Sequence, residues 1–126
     1  MIQRPVYLPI NKLVPTECLV PEDRLAEIAG NYDGTVESIA PASVYAFGGN
    51  YLIENGNKRA VFLHQQGHDN ICSFVREDDP QEVSKLVRLA RKARDFSDVK
   101  TIADLAQKIV PRDEYDLFME ILDEEN

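Results

Sequence analysis

Two adjacent cations, Lys58 and Arg59, are the residues whose type and position most clearly suggest chemistry. They follow Gly56 in the stretch Tyr51–His68, where a short apolar run, a glycine turn and an amphipathic run succeed one another. This pattern predicts a strand, a turn and a helix that begins at the cations. The first N–H groups of a helix lack intrahelical acceptors, and the positive end of the dipole favours an anion there. The pattern therefore predicts a small phosphate or carboxylate site that Lys58 and Arg59 complete.

The same stretch also has a plain structural interpretation. Asn-Gly-Asn is a common turn, and a strand followed by glycine and a helix recurs in many folds. Lys58 and Arg59 would then be solvated, or paired with Glu54 or another carboxylate. The local pattern leaves both interpretations open.

Three residues that can bind metals, His64, His68 and Cys72, recur at intervals of four. One helix would place the two histidines on the same face, but Gly67 is expected to end that helix and Cys72 to lie in the next strand. No fourth ligand is evident, so we predict no metal site, with His64 partly packed and His68 in a turn. Cys18 and Cys72 are the only cysteines, which argues against a disulfide scaffold.

The elements that must position these residues follow from hydrophobic periodicity, which predicts an α+β fold. The predicted order is an edge strand, a helix, a hairpin, a helix and a strand, in residues 4–10, 21–30, 42–55, 57–67 and 70–75. Residues 13–21 are interpreted as a proline-punctuated connection. Residues 1–79 are therefore predicted to form one compact α+β domain.

The pattern becomes helical from Pro80 onward. The first of three predicted helices carries an apolar stripe of Val83, Leu86, Val87, Ala90 and Ala93. The second, in residues 98–110, has a capping arrangement of Thr101 and Asp104, and the last, in residues 112–125, places Tyr115, Phe118, Met119 and Leu122 at helical spacing. Residues 80–126 are predicted to form a helical C-terminal extension that packs on the domain or on a second subunit, as in a homodimer.

Charge is distributed unevenly along the chain. The net charge of −8 argues against broad attraction to nucleic acid. Residues 85–100 nevertheless carry six basic and two acidic side chains, whereas residues 113–126 carry seven acidic ones and no basic one. A DNA-binding regulator that uses Arg88, Arg91 and Lys92 therefore stays open but is disfavoured, since the last helix would present carboxylates to phosphates.

The chain has no apolar run of the ~20 residues that a membrane span requires, and its start lacks the features of a signal peptide. We therefore expect no membrane partner and a cytoplasmic location.

Several segments together resemble the ParB/sulfiredoxin superfamily. The matching segments are LPINKLVP, RLAEIAG, SVYAFGGNYLIENGNKRAVFLHQQG and NICSFV, which fall within residues 6–75. The resemblance implies a small mixed β-sheet with packed helices. It also implies a phosphate-contacting turn that in relatives holds a nucleotide such as CTP, ATP or ADP, which we expect with Mg²⁺. In this chain the turn consists of Gly56, Asn57, Lys58 and Arg59.

Differences from the superfamily narrow the implied activity. Asn57 stands where sulfiredoxins place a catalytic cysteine, which argues against sulfinic-acid reduction. Asn-Lys-Arg replaces the usual Glu-Arg-Arg of partition proteins, which preserves Arg59 but loses the acid. The family's arginine-rich segment before the first helix is not evident, and Arg24, the one basic residue nearby, is given no role. A serine kinase of the superfamily uses a carboxylate base, so Glu54 is the one candidate for a catalytic residue.

The leading hypothesis is a nucleotide- or phosphate-binding protein, regulatory or partition-related, for which hydrolase or kinase-like activity stays open. The alternatives are a non-enzymatic interaction module that keeps the fold without a ligand, and a DNA-binding regulator.

Overall fold

A computed structural model describes residues 3–124, which form two sheets and five α-helices. The strands are β1 Val6–Pro9, β2 Leu13–Val14, β3 Val20–Pro21, β4 Ala42–Phe47, β5 Asn50–Asn55, β6 Asn70–Val75 and β7 Ile109–Val110. The helices are α1 Glu22–Ala29, α2 Asn57–Gln65, α3 Pro80–Ser97, α4 Ile102–Leu105 and α5 Arg112–Glu124. Short 3₁₀ turns occupy Ile10–Lys12 and Val36–Ser38.

The main sheet has five strands in the order β1-β6-β4-β5-β2. The pairs β1–β6 and β4–β5 are antiparallel, whereas β4–β6 and β2–β5 are parallel. The sheet is therefore mixed, and the predicted α+β class with packed helices is confirmed. The predicted hairpin is the β4–β5 pair, and the predicted edge strand is β1.

Local sequence explains where two of the helices, α3 and α4, begin. Asp79 caps α3, since its Oδ1 accepts hydrogen bonds from the N–H groups of Gln81 and Glu82 at 3.1 and 3.3 Å. Pro80 occupies the first turn, where its missing N–H costs nothing. The predicted capping arrangement at α4 is confirmed, with Thr101 and Asp104 each bonding to the backbone of the other.

Two predictions, the helix in residues 98–110 and the connection in residues 13–21, are wrong. Residues 98–110 form only the four-residue helix α4, after which Ile109–Val110 pairs in parallel with Val20–Pro21. The segment 13–21 is not a plain connection, because it contains β2 and β3. Both errors have one cause: such short strands are stabilised by partners distant in sequence, and no local periodicity marks them.

One hydrophobic core extends through both halves of the chain. Residues 60–63 of α2 are buried in it together with Val44 and Ile53 of the sheet. Ala93, Val99, Ile102, Leu105 and Leu122 belong to the same cluster, so the C-terminal segment supplies part of this core. On the opposite face of the sheet, Tyr45 and Leu52 pack with Leu86 of α3.

Within residues 3–124, no helix has the length and apolar character needed to cross a membrane.

Candidate functional site

The turn before α2 depends on Gly56, which has φ +122° and is buried. Residues other than glycine rarely adopt this backbone conformation. A Cβ at this position would also lie 2.7 Å from Cβ of the buried Ala42. The backbone conformation and the close contact with β4 thus require glycine here, whether or not a ligand approaches the turn. No side chain caps the first turn of α2.

Asn57, the first residue of α2, is buried and joined to Thr16 by two hydrogen bonds. Its Oδ1 accepts from the N–H of Thr16 at 2.9 Å, and its Nδ2 donates to Oγ1 of Thr16 at 3.0 Å. Oγ1 of Thr16 in turn donates to the carbonyl oxygen of Ile53 at 2.7 Å. Asn57 therefore fastens the segment between β2 and β3 to the turn, and its amide group is used inside the protein.

The side chain of Lys58 is enclosed on one side of α2. Its Nζ lies 2.8 and 3.0 Å from the two carboxylate oxygens of Glu17. The same Nζ is 6.0 Å from the ring centroid of Tyr115 in α5. Arg112 lies over that ring, at 5.2 Å, and forms two 3.0 Å hydrogen bonds with the carboxylate of Asp23. We call this group, Glu17, Asp23, Lys58, Arg112 and Tyr115, the Lys58 cluster.

Arg59 is partly buried on another side of the same helical turn. Its Nη1 donates to the carbonyl oxygens of Pro41 at 2.8 Å and Ala40 at 3.2 Å. Burial lowers the pKa of Arg59, and the charge of Arg24 lowers it further. Among the described side chains, those of residues 3–123, Arg59 has no carboxylate partner. Its positive charge is therefore balanced by two carbonyl dipoles only.

Arg59 and Arg24 line one cavity of about 270 Å³ between α1, the Val36–Ser38 turn and the start of α2. The other lining residues are Glu27, Ile28, Asn31, Ser38, Ile39 and Ala40. Arg24 is paired with Glu27 on its own helix, and its side chain is 46% exposed. We call this cavity the arginine cleft. Its charged lining is two guanidinium groups and one carboxylate, which favours an anion.

The structure separates the four residues of the predicted phosphate turn. Gly56 and Asn57 shape the turn itself, Lys58 contacts Glu17, and Arg59 lies in the arginine cleft. Arg24 joins Arg59 although the sequence analysis gave it no role. The one available signal was a cation in the first turn of a helix, the same unfavourable position that marked Lys58 and Arg59.

Glu54, the candidate catalytic residue, contacts neither of the two cations that the plain structural interpretation of the sequence paired with it. Its Oε1 accepts a hydrogen bond from Oγ of Ser43 at 2.6 Å and lies 3.2 Å from Nη1 of Arg76. The prediction that Glu54 pairs with Lys58 or Arg59 is therefore wrong. The carboxylate that neutralises Lys58 is Glu17, which lies in the segment interpreted as a connection.

The three residues that can bind metals have separate surroundings. His64 is exposed rather than partly packed, because it follows the buried residues 60–63 on the solvent side of α2. Nε2 of His68 lies 2.6 Å from the hydroxyl of Tyr32, and Cys72 lies in β6. In the part of the chain that the structure describes, no three His, Cys, Asp or Glu residues are grouped as metal ligands.

Comparison of the chain with protein-family models, with curated proteins and with solved structures gave no match. The resemblance to the ParB/sulfiredoxin superfamily stays a prediction. Function is therefore argued from the geometry around α2.

Proposed function

We propose that the protein binds a phosphate-bearing small molecule in the arginine cleft, and that nucleotides are the class to test first. The observation that carries this proposal is the partly buried guanidinium of Arg59, which has no carboxylate partner among the side chains of residues 3–123. Removing a charge from water is unfavourable unless an opposite charge compensates it. A bound phosphate would supply that charge, and a guanidinium can donate two parallel hydrogen bonds to it.

Arg24 supports the same assignment. Its charge lowers the pKa of Arg59, which means that the two guanidinium groups repel each other across the cleft. An anion between them would turn this repulsion into two attractions. The side chain of Arg24 is about half exposed, so it can reorient toward a ligand without disturbing the core.

The size of the cleft restricts what it can enclose. At about 270 Å³ it is slightly smaller than the roughly 300–1,000 Å³ of typical ligand pockets. It fits phosphate groups better than a whole nucleotide. In this proposal the phosphates lie beside Arg59 and Arg24, and the sugar and base extend over the surface. Gly56 and Asn57 shape the turn, and Lys58 would contribute only by leaving Glu17.

The proposal covers binding and does not extend to catalysis. Glu54 has Ser43 and Arg76 as partners, neither of which lines the cleft. Nothing in its surroundings connects its carboxylate with a ligand held by Arg59.

The test compares ligand-induced stabilisation in three chains. Thermal unfolding of the wild type, Arg24→Gln and Lys58→Gln is followed with CTP, ATP, ADP and inorganic phosphate, each with and without Mg²⁺. A ligand that binds only the folded protein raises the midpoint in proportion to RT ln(1 + [L]/Kd). We expect the midpoint of the wild type and of Lys58→Gln to rise. For Arg24→Gln we expect a smaller rise, which corresponds to an affinity about tenfold lower.

Lys58→Gln is the matched control, since it removes one cation from the same turn without changing the lining of the cleft. Loss of binding in Lys58→Gln with retention in Arg24→Gln would place the ligand on the Lys58 side. No shift with any of the four ligands at millimolar concentration would reject the proposal.

A second candidate is a non-enzymatic interaction module that keeps the fold without a ligand. The internal partners of Asn57 and Lys58 favour it, because two of the four predicted phosphate contacts already have acceptors or donors inside the protein. This candidate predicts that none of the ligands stabilises the wild type.

A further inference from the structure

A second pocket, of about 460 Å³, lies between α3 and the tip of the β4–β5 hairpin. Its apolar lining includes Val14, Phe47, Leu52, Val87 and Val99, and its cations are Arg91, Arg94 and Lys100. Phe47 is 49% exposed, so part of this apolar lining faces solvent. We call this site the basic pocket.

The cations of the basic pocket are poorly neutralised. Arg94 has only an exposed contact of 3.4 Å with Asp95, its neighbour in sequence. For Arg91 and Lys100, the side chains that the structure describes, residues 3–123, provide no carboxylate within ion-pair distance. Six basic and two acidic residues in 85–100 give this segment a net charge of +4 in a chain whose net charge is −8. A matching partner would combine apolar side chains with carboxylates.

The outward face of α5 has that combination. Leu117 and Ile121 are four residues apart, so they are neighbours on one face, and they are 58% and 50% exposed. Asp113, Asp116 and Glu120, all exposed, lie on the same helix. The opposite face of α5 packs Phe118, Met119 and Leu122 on the core of its own molecule.

We propose that the basic pocket of one molecule binds the outward face of α5 of a second copy of this chain. None of the residues that line the pocket comes from α5, so the two surfaces are separate parts of one molecule. Leu117 and Ile121 enter the apolar lining beside Phe47, and the carboxylates of α5 meet Arg91, Arg94 and Lys100.

This contact is head-to-tail, because each molecule offers the pocket to one neighbour and α5 to another. Such an interface forms a ring if the rotation between neighbours closes, and otherwise an open chain with an unused surface at each end. It differs from a symmetric dimer in which two α5 helices meet, and the two arrangements respond differently to substitution. Because opposite charges face each other, association is expected to weaken as salt increases.

Three pairs of substitutions at exposed positions separate these possibilities. The pocket variant is Arg91→Glu with Arg94→Glu, and the helix variant is Leu117→Ser with Ile121→Ser. The control is Lys85→Glu with Arg88→Glu, which changes the net charge as much as the pocket variant but lies outside the pocket. Circular dichroism checks that each variant is folded, and sedimentation velocity at increasing concentration and salt measures association.

We expect the wild type and the control to associate, and each of the other two variants to lose at least about tenfold in affinity. An equimolar mixture of the pocket variant and the helix variant should form heterodimers that do not grow further, because one intact pocket meets one intact helix. A monomeric wild type at about 1 mM would overturn the proposal. Unchanged association of the pocket variant, or a mixture that forms no heterodimer, would overturn it as well.

Discussion

The first turn of α2 carries two neighbouring cations, of which one contacts a carboxylate among the described side chains and the other does not. Lys58 lies in the Lys58 cluster, where Glu17 neutralises it and Tyr115 covers it. Arg59 lies in the arginine cleft, where it meets two carbonyl oxygens and a second arginine. Adjacent residues of one motif thus differ completely in the anion available to them.

The difference shows that a cationic motif at a helix start does not by itself define a binding site. Both cations stand at the positive end of the helix dipole, where their own positions are unfavourable. On the Lys58 side a carboxylate of the chain removes this disadvantage, and the C-terminal helix closes the surface. On the Arg59 side the disadvantage persists, which makes that side the better candidate for an external anion. Four experiments test this comparison.

The largest effect is expected at Gly56, on which both sides depend. Gly56→Ala introduces a Cβ 2.7 Å from that of Ala42 and forces alanine to φ +122°. We expect a loss of about 3 kcal/mol in the free energy of unfolding, since steric overlap and backbone strain add. Urea denaturation followed by circular dichroism measures it.

Gly67→Ala is the matched control at the other end of α2. Gly67 also has positive φ, +86°, but an added Cβ meets no atom within 4 Å. This change is expected to cost about 1 kcal/mol. Equal losses for the two alanine variants would show that the contact with Ala42 is unimportant.

Asn57→Ala tests whether the residue immediately before the two cations is structural. The substitution removes two hydrogen bonds and leaves the buried N–H of Thr16 without its acceptor. We expect a loss of about 2 kcal/mol in the free energy of unfolding. Asn55→Ala, at an exposed position two residues earlier, should change stability by less than about 0.5 kcal/mol. A variant at Asn57 as stable as the one at Asn55 would contradict the role given to the Thr16 contact.

A smaller effect is expected for the pairing of Lys58 with Glu17. Their side chains are 21% and 28% exposed, so solvent screens the interaction only in part. A double-mutant cycle with Lys58→Gln and Glu17→Gln should give a coupling of about 0.5–1 kcal/mol in unfolding. The same cycle for Arg59 and Glu17 should give none. Equal couplings would mean that the two cations share one environment.

The smallest effect is expected in the pH dependence of stability, through the ion pair between Arg112 of α5 and Asp23 of α1. The hydrogen bonds from Arg112 are the main cause that lowers the pKa of Asp23 below its ordinary value of 3.8. A lowered carboxyl pKa stabilises the fold above the unfolded pKa, and this contribution disappears as the pH falls below 3.8. Arg112→Gln should therefore lose less stability than the wild type on acidification. Chemical denaturation at pH 6 and at about pH 3 compares them, and identical pH dependence would contradict the contribution of this bond.

The sequence by itself determined the elements whose signals are local. The β4–β5 hairpin, α1, α2, α3 and α5 follow from periodicity and turn residues, because hydrogen bonds within a helix or hairpin join residues close in sequence. The Thr101–Asp104 capping box was predictable for the same reason. The mixed sheet was expected from a family resemblance, and the α+β class is confirmed.

Only the tertiary structure decided the partners of the candidate site. Glu17 reaches Lys58 from 41 positions away, and Thr16 reaches Asn57 from the same distance. Arg24 meets Arg59 because α1 and α2 line one cleft, and β7 exists because it pairs with β3. Such contacts depend on how distant segments pack, and neither spacing nor residue type encodes them locally. For that reason the sequence located two cations at the start of a helix, and the fold decided which of them has a protein carboxylate.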